Sequence, residues 1–355
     1  MNGEMDLLLP GITATRVPTG RLTVNVLQID GRDGVPVVLV HGNVSSALFW
    51  QQVMVDLPDG YRPIAIDLRG FGDTDPEPVD ATRGVRDYSD DVRSTLAALN
   101  LDRVHIVGWS LGGGVVLQCL RDEPATFASV TLINPASPFG FGGTFGVDGV
   151  LADPPGLGSG AGTANPQFIE RLAAGDRSAD GPLAPRNVLL AHYVKPPFVP
   201  DGLDYMVESM LTTRIGEDHQ PGDLGATQVW PGIVAGSRGV LNTLAPNHFR
   251  IDDLHTIDPK PPILWVRGTD DVIVSDTSLY DLARLGELGV LPGWPGADVY
   301  PVQPMVSQTR GVLDRYASAG GSYREVPIAD TGHSPFLEKP AEFMDAFGPH
   351  LDAAG

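Results

Sequence analysis

Cysteine, basic residues and long apolar runs are all scarce in this 355-residue sequence. Its one cysteine, Cys119, excludes an internal disulfide and any site in which several cysteines bind a metal ion. No apolar run approaches the roughly 20 residues that a membrane-spanning helix needs. The stretch Leu7–Leu9 is too short for the apolar part of a signal peptide, and no basic residue precedes it. These absences predict a cytoplasmic protein that folds without a metal ion or a disulfide.

The charge is strongly one-sided, with 24 Lys and Arg against 44 Asp and Glu, a net charge of −20. Such a surface repels phosphate backbones and anionic lipid headgroups, so neither nucleic acid nor a membrane is an expected partner. A chain of this length with 42% hydrophobic residues can bury a large core. The expected partner is therefore a small molecule bound by a globular protein.

Short apolar runs rich in β-branched residues alternate with helical stretches, which is typical of a mostly parallel sheet with helices on both faces. Two helices are predicted, over 89–99 and from Ser110 onward, because their apolar residues recur at helical intervals. The fold class is α/β, a twisted sheet flanked by helices. The predicted strands are 12–18, 21–29, 35–40, 62–66, 104–107, 130–133, 263–266 and 323–328.

One long segment interrupts this alternation. Over 138–261 the strand signal vanishes, and clusters of glycine and proline separate short helical pieces such as 166–174 and 203–212. Compact domains rarely contain long loops without structure, so this segment is predicted to be an inserted, mainly helical cap. Residues 1–137 and 262–355 then form the core domain.

The most specific motif is Gly108-Trp109-Ser110-Leu111-Gly112, which directly follows one predicted strand and directly precedes a helix. A nucleophilic serine in a sharp strand-to-helix turn requires this context. The glycines avoid collisions in the turn, and the helix N-terminus directs free N–H groups toward the serine. Ser110 is therefore the candidate nucleophile.

A second motif, His41-Gly42-Asn43, follows the strand 35–40. The oxyanion of a tetrahedral intermediate needs two N–H donors. The backbone N–H groups of Asn43 and Leu111 are the predicted donors. His41 is interpreted as a structural residue of this loop.

The general base is predicted to be His333, on the glycine-containing loop that follows the last strand. The serine–histidine pair needs a carboxylate that orients the imidazole, and Asp270 and Asp271 both follow the strand 263–266. Asp67 also ends a strand, but an ion pair with Arg69 that shapes its loop is the preferred interpretation.

Taken together, five motifs resemble those of the α/β-hydrolase superfamily, in its order and spacing. They are His41-Gly42-Asn43, Asp67-Leu68-Arg69-Gly70-Phe71-Gly72, Gly108-Trp109-Ser110-Leu111-Gly112-Gly113, Gly268-x-x-Asp271 and Gly332-His333-Ser334-Pro335. The resemblance implies a cap-bearing serine hydrolase and favours Asp271 over Asp270 as the acid. Relatives that act as haloalkane dehalogenases or epoxide hydrolases use an aspartate nucleophile, whereas position 110 is serine.

The predicted reaction is hydrolysis of a small, largely apolar carboxylic ester or lactone through an acyl-enzyme. Hydrolysis of a C–C bond or a thioester on the same triad stays open, as does a non-catalytic small-molecule binder. No metal-binding, phosphate-binding or dinucleotide-binding motif is present, so no cofactor is expected.

The predicted substrate pocket includes Trp109, Val44 and Phe139, which lie in or near these motifs. A further stretch, 276–304, extends the chain between acid and base and starts at the carboxyl end of a strand. It is predicted to form a second wall of the pocket, with Trp294 or Tyr280 near the substrate. The alternative is an excursion over the outer helices.

Overall fold

A computed structural model describes residues 7–354. In this range the chain alternates between strands and helices, as the hydrophobic pattern predicts. The strands are β1 Ile12–Pro18, β2 Thr23–Ile29, β3 Val35–Val40, β4 Tyr61–Ile66, β5 Val104–Trp109, β6 Phe127–Ile133, β7 Thr144–Phe145, β8 Val150–Leu151, β9 Ile215–Gly216, β10 Gln220–Pro221, β11 Leu224–Ala226, β12 Ile233–Ala235, β13 Ile263–Gly268 and β14 Tyr323–Ile328.

Eight of these strands form one sheet in the order β1-β2-β4-β3-β5-β6-β13-β14. The first two strands pair antiparallel with each other, and β2 pairs antiparallel with β4. All pairs from β4 to β14 are parallel. All eight predicted strands are present, so the expected α/β fold with a mostly parallel sheet is confirmed.

The helices cover both faces of this sheet and include those that the apolar spacing predicted. They are α1 Gln51–Asp56, α2 Arg86–Ala98, α3 Leu111–Asp122, α4 Pro166–Ala173, α5 Pro185–Val188, α6 Leu203–Leu211, α7 Leu282–Glu287, α8 Met305–Ser318, α9 Pro335–Glu338 and α10 Pro340–Asp352.

Buried side chains form one large core on each face of the sheet because neighbouring residues of a strand point to opposite sides. In β3, Val38 and Val40 pack into one core, which includes α3 and α8. Val37 and Leu39 pack into the other, which includes α1 and α10. The central strands are therefore covered on both faces, and polar side chains can reach open space only at their ends.

Between β6 and β13 the chain runs outside the main sheet. The predicted helices are found there as α4 and α6, together with α5 and a π-helical turn, Leu189–Tyr193. The segment also holds three short strand pairs, β7–β8, β9–β10 and β11–β12. The sequence did not reveal these pairs because strands of two or three residues are too short to show an alternating pattern.

The ion pair predicted between Asp67 and Arg69 is wrong. The buried Arg69 guanidinium donates instead to both oxygens of Asp91 on α2, at 2.6 and 2.8 Å. Asp67 accepts hydrogen bonds from the backbone N–H of Ala47 and from the Asn25 side chain, at 2.7 and 2.8 Å. The bidentate partner of Arg69 lies on a distant helix, and sequence proximity gave no signal for it.

Acid should destabilise the fold through its buried histidines. Burial lowers the pKa of His41, His105 and His350 to about 4. Each histidine takes up a proton in the unfolded chain near pH 6.5 but stays neutral in the folded protein until about pH 4. The stability that each contributes is thus complete above pH 6.5 and is lost as the pH falls toward 4.

This effect can be measured at His350, whose Nε2 lies 3.1 Å from the Val130 carbonyl oxygen. As the pH falls from 7 to 4.5, the unfolding free energy of wild type should decrease by about 2 kcal/mol more than that of His350→Gln. Urea denaturation at both pH values measures this difference. A pH-independent difference for His350→Gln would contradict the prediction.

Candidate active site

The turn between β5 and α3 lies where the chain order of the sheet reverses, since the chain passes from β3 toward one edge and from β5 toward the other. Ser110 occupies this turn with φ 57°, in the left-handed region. A Cβ on Gly108 would lie 2.4 Å from the Gly112 carbonyl oxygen, and one on Gly112 would lie 2.4 Å from the His41 carbonyl oxygen. The turn therefore requires both glycines, as the motif predicts.

The loop after β3 lies beside this serine. A Cβ on Gly42 would lie only 3.0 Å from the Ser110 Cβ. Within residues 7–354, the backbone N–H groups of Asn43 and Leu111 have no hydrogen-bond partner. Two unpaired donors next to a serine hydroxyl can accept a developing oxyanion.

His41 holds the first part of this loop. Its Nε2 accepts a hydrogen bond from the Leu68 N–H at 3.0 Å, so Nδ1 carries the proton and can donate to the Gly42 carbonyl oxygen at 2.7 Å. Burial lowers the pKa of His41 to about 4, which keeps the ring neutral. These contacts give His41 the structural place that the sequence analysis assigned to it.

His333 and Asp271 lie together, 62 residues apart in the chain. The His333 Nδ1 is 2.8 Å from the Asp271 Oδ2, and both side chains are almost fully buried. The Trp109 Nε1 donates to the His333 backbone carbonyl at 2.8 Å, and the two rings are in contact. Trp109 thus links the serine turn to the histidine loop.

Asp271 is held at both carboxylate oxygens. Its Oδ1 accepts from the backbone N–H groups of Ile273 and Val274, at 2.7 and 3.1 Å. Its Oδ2 also accepts from the Asn134 Nδ2 at 2.5 Å. The sequence analysis assigns no role to Asn134. Its place at the end of β6, next to β13, is the signal that could have identified it.

By contrast, Asp270 points to the surface. Its carboxylate pairs with the Lys195 ammonium at 3.3 Å, and its side chain is 46% exposed. Of the two neighbouring acids, only Asp271 contacts His333.

Ser110 and His333 both line a cavity of about 480 Å³. Its walls are mostly apolar and come from the β3 loop, from the segment between β6 and β13, and from the chain after β13. Away from Ser110 and His333, the lining includes a few polar side chains, namely Asn43, Thr163, Asn165, His192, Tyr193, Gln220 and Tyr280. The cavity can therefore surround a small apolar group and bring it next to the serine.

The structure brings some of the predicted pocket residues to this cavity and leaves others outside. Trp109, Val44 and Tyr280 line it. Phe139 does not, because its ring is buried in the core under the Arg250 guanidinium. Trp294 is also absent from the lining, because it packs on Gly286 of α7 and donates to the Tyr300 carbonyl oxygen at 2.9 Å.

The stretch after β13 nevertheless contributes to the cavity through its first half. Leu279, Leu282 and Leu285 line the cavity together with Tyr280. The amphipathic spacing of these leucines was visible in the sequence, whereas the folding of the later residues back onto α7 was not.

Residues 7–354 hold no cluster of three or more His, Cys, Asp or Glu side chains arranged for a metal ion. The same residues form no helix that is long and apolar enough to span a membrane.

The fold and the arrangement of Ser110, His333 and Asp271 agree with the family to which the sequence is matched. The chain belongs to the alpha/beta hydrolase family, whose model matches residues 37–346. Its fold resembles that of solved esterases. One of them is the esterase RhEst1 from Rhodococcus, with a TM-score of 0.60 and 22% identity over 97% of this chain and all of the other. A putative aryl esterase from Burkholderia cenocepacia has a TM-score of 0.59 at 17% identity over 96% of this chain and 99% of the other.

Relatives by sequence match the chain over different lengths. The putative carbamate hydrolase RutD of Variovorax paradoxus is 45% identical over 103 residues, which are 29% of this chain and 38% of RutD. The uncharacterized protein Rv2715 of Mycobacterium tuberculosis is 25% identical over 322 residues, which are 90% of this chain and 76% of the other. The match to RutD thus spans well under half of that protein.

Proposed function

We propose that the protein hydrolyses a small, largely apolar carboxylic ester or lactone through an acyl-enzyme, with Ser110, His333 and Asp271 as its catalytic triad. The observation that carries the proposal is that Ser110 and the Asp271-bound His333 line the same cavity as Asn43 and Leu111, whose backbone N–H groups have no partner among the residues that the structure describes.

In the first half of the reaction, the Ser110 Oγ attacks the carbonyl carbon while His333 takes its proton. The Asn43 and Leu111 N–H groups bind the oxyanion that forms. The bond to the leaving oxygen then breaks, and His333 gives its proton to that oxygen. Asp271 keeps the proton of His333 on Nδ1 and stabilises the imidazolium.

In the second half, water attacks the acyl-enzyme and His333 acts as the base again. The bond between the acyl carbon and the Ser110 Oγ breaks, and the proton returns to the serine. The products are a carboxylic acid and an alcohol, or a hydroxy acid where the substrate is a lactone.

A fluorophosphonate probe tests the serine, and a substrate panel tests the reaction. The probe should label wild type and not Ser110→Ala. The panel compares p-nitrophenyl acetate, butyrate, hexanoate, octanoate and decanoate with lactones, a thioester and a vinylogous β-diketone. Faster turnover of an ester or lactone would support the proposal. Faster cleavage of the thioester or diketone would replace it with that reaction, and absence of labelling and turnover would favour a non-catalytic binder.

The cavity wall after β13 should set the acyl length. Replacing Leu285, which lines the cavity, with tryptophan fills part of the space and should shift the preferred p-nitrophenyl ester to a shorter chain. We expect kcat/KM for the longest accepted ester to fall roughly 10-fold or more, with the acetate nearly unchanged.

The matched control is Leu288→Trp, because Leu288 is 49% exposed and follows the same helix without lining the cavity. Its acyl-length profile should equal that of wild type. If Leu285→Trp also leaves the profile unchanged, the wall formed by α7 does not contact the acyl chain.

A further inference from the structure

The segment between β6 and β13 contacts the loop after β3 through Tyr193 and through Ser209, whose hydroxyl lies 2.6 Å from the Ser46 hydroxyl. This tyrosine ends the π-helical turn Leu189–Tyr193 and is buried. Its hydroxyl donates to the Asn43 backbone carbonyl at 2.9 Å and lies 3.4 Å from the Val44 carbonyl oxygen. Its ring contacts Trp109 and His333. Tyr193 thus reaches the backbone just beyond the predicted oxyanion donor.

That stretch of backbone is strained. Val44 has φ 47°, and a β-branched residue in the left-handed region is a genuine outlier. Such strain persists only where surrounding contacts hold the residue in place, and it clusters at functional sites. Val44 itself is buried in the cavity wall, so no solvent contact stabilises the conformation.

The two peptide groups that flank Asn43 are held from different parts of the molecule. The Gly42 carbonyl, in the same peptide as the Asn43 N–H, accepts hydrogen bonds from the His41 Nδ1 at 2.7 Å and from the Ser45 hydroxyl at 2.9 Å. The Asn43 carbonyl, in the next peptide, accepts from Tyr193. Without the Tyr193 hydroxyl, Val44 could relax to a negative φ and rotate the Asn43 N–H away from the serine.

We infer that Tyr193 is a positioning residue that holds the strained Val44 conformation and thereby aims the Asn43 N–H at the oxyanion. The inference rests on the proposed function, because it assigns the geometry of the oxyanion site to a residue outside the main sheet. It implies that the Asn43 and Leu111 N–H groups both point at the oxyanion only while the segment 185–195 packs against the core.

The chain next to Tyr193 is tied to the loop of the base. The backbone N–H of Lys195 donates to the Glu338 carboxylate at 2.8 Å, and the same carboxylate accepts from the Gly332 N–H at 2.8 Å. The Lys195 ammonium also donates to Asp330 at 2.5 Å. These hydrogen bonds fix the position of Tyr193 relative to His333. The segment 185–195 therefore positions both the oxyanion donor and the base.

The test is Tyr193→Phe, which keeps the ring contacts and removes the hydroxyl. For the best p-nitrophenyl ester we expect kcat to fall roughly 10- to 100-fold, less than for outright loss of an oxyanion donor, with KM within about 3-fold of wild type. Inhibition by butylboronic acid, whose tetrahedral serine adduct places an oxygen in the oxyanion site, should weaken by a similar factor. Tyr205→Phe, on α6 and outside the cavity lining, is the matched control and should change neither quantity.

A double-mutant cycle with Val44→Gly tests the strain itself. Glycine adopts a positive φ without cost, and the loop stays anchored at the Gly42 carbonyl and at the Ala47 N–H, which donates to Asp67. In the Val44→Gly background, Tyr193→Phe should therefore cost no more than about 3-fold in kcat. An equal or larger loss in that background would overturn the inference.

Two further outcomes would also overturn it. One is a Tyr193→Phe enzyme with wild-type kcat and boronate affinity, and the other is a loss that appears only in KM. Matching thermal midpoints of Tyr193→Phe and wild type exclude a folding defect. The proposed function fails separately, since wild type would then show neither ester turnover nor labelling by the fluorophosphonate.

Discussion

Replacing Ser110 by alanine should lower kcat for the best ester by at least about 10³-fold and abolish fluorophosphonate labelling. A triad acts as a unit, so loss of the nucleophile leaves only the contribution of the oxyanion donors and of substrate binding. Alanine and serine have similar steric limits at φ 57°, the value at position 110, so the turn should keep its shape. Steady-state kinetics and gel-based labelling measure both effects.

The control for this variant is Ser322→Ala, at an exposed serine that precedes β14. It should keep wild-type turnover and labelling. A Ser110→Ala enzyme that retains a tenth of the wild-type kcat would show that another group carries out the attack.

Replacing Asp271 by asparagine should lower kcat by about 10³- to 10⁴-fold. An asparagine amide would present an N–H or a neutral oxygen where the carboxylate now contacts the His333 Nδ1 at 2.8 Å. The favoured imidazole tautomer would then carry its proton on Nε2, which cannot accept the serine proton. The imidazolium would also lose the charge that stabilises it.

The neighbouring Asp270 provides a control of identical chemistry. Asp270→Asn removes a surface pair with Lys195, which keeps its hydrogen bond to Asp330. Its kcat should stay within about 3-fold of wild type, because exposed ion pairs contribute little. A larger loss for Asp270→Asn than for Asp271→Asn would transfer the role of the acid to position 270.

Much of the candidate site could be predicted because its parts lie in short motifs at strand ends. The turn around Ser110 needs glycine at two fixed positions, and the sequence shows both. The preference for Asp271 over Asp270 came from a resemblance, and the geometry agrees, since only Asp271 contacts His333. The roles of these residues in catalysis stay predictions until the variants are measured.

The pocket was predicted less well because its lining depends on how distant segments pack. Phe139 follows β6 closely, yet its ring turns into the core under Arg250. Trp294 is aromatic and lies between prolines, but it packs on α7 rather than facing the cavity. Conversely, nothing local marks Tyr193, whose partner carbonyl at Asn43 lies 150 residues earlier in the chain.

By itself, the sequence determined the α/β sheet, the sharp turn at Ser110 and the loops that hold Asn43, Asp271 and His333. These features follow from local rules, namely hydrophobic periodicity, glycine at tight turns, and the common edge at which parallel strands end. Only the tertiary structure decided which partner Arg69 takes, which aromatic side chains face the cavity, and that Tyr193 holds the strained backbone at Val44. Those outcomes depend on contacts between residues far apart in the chain, and such contacts form only when the whole fold brings their elements together.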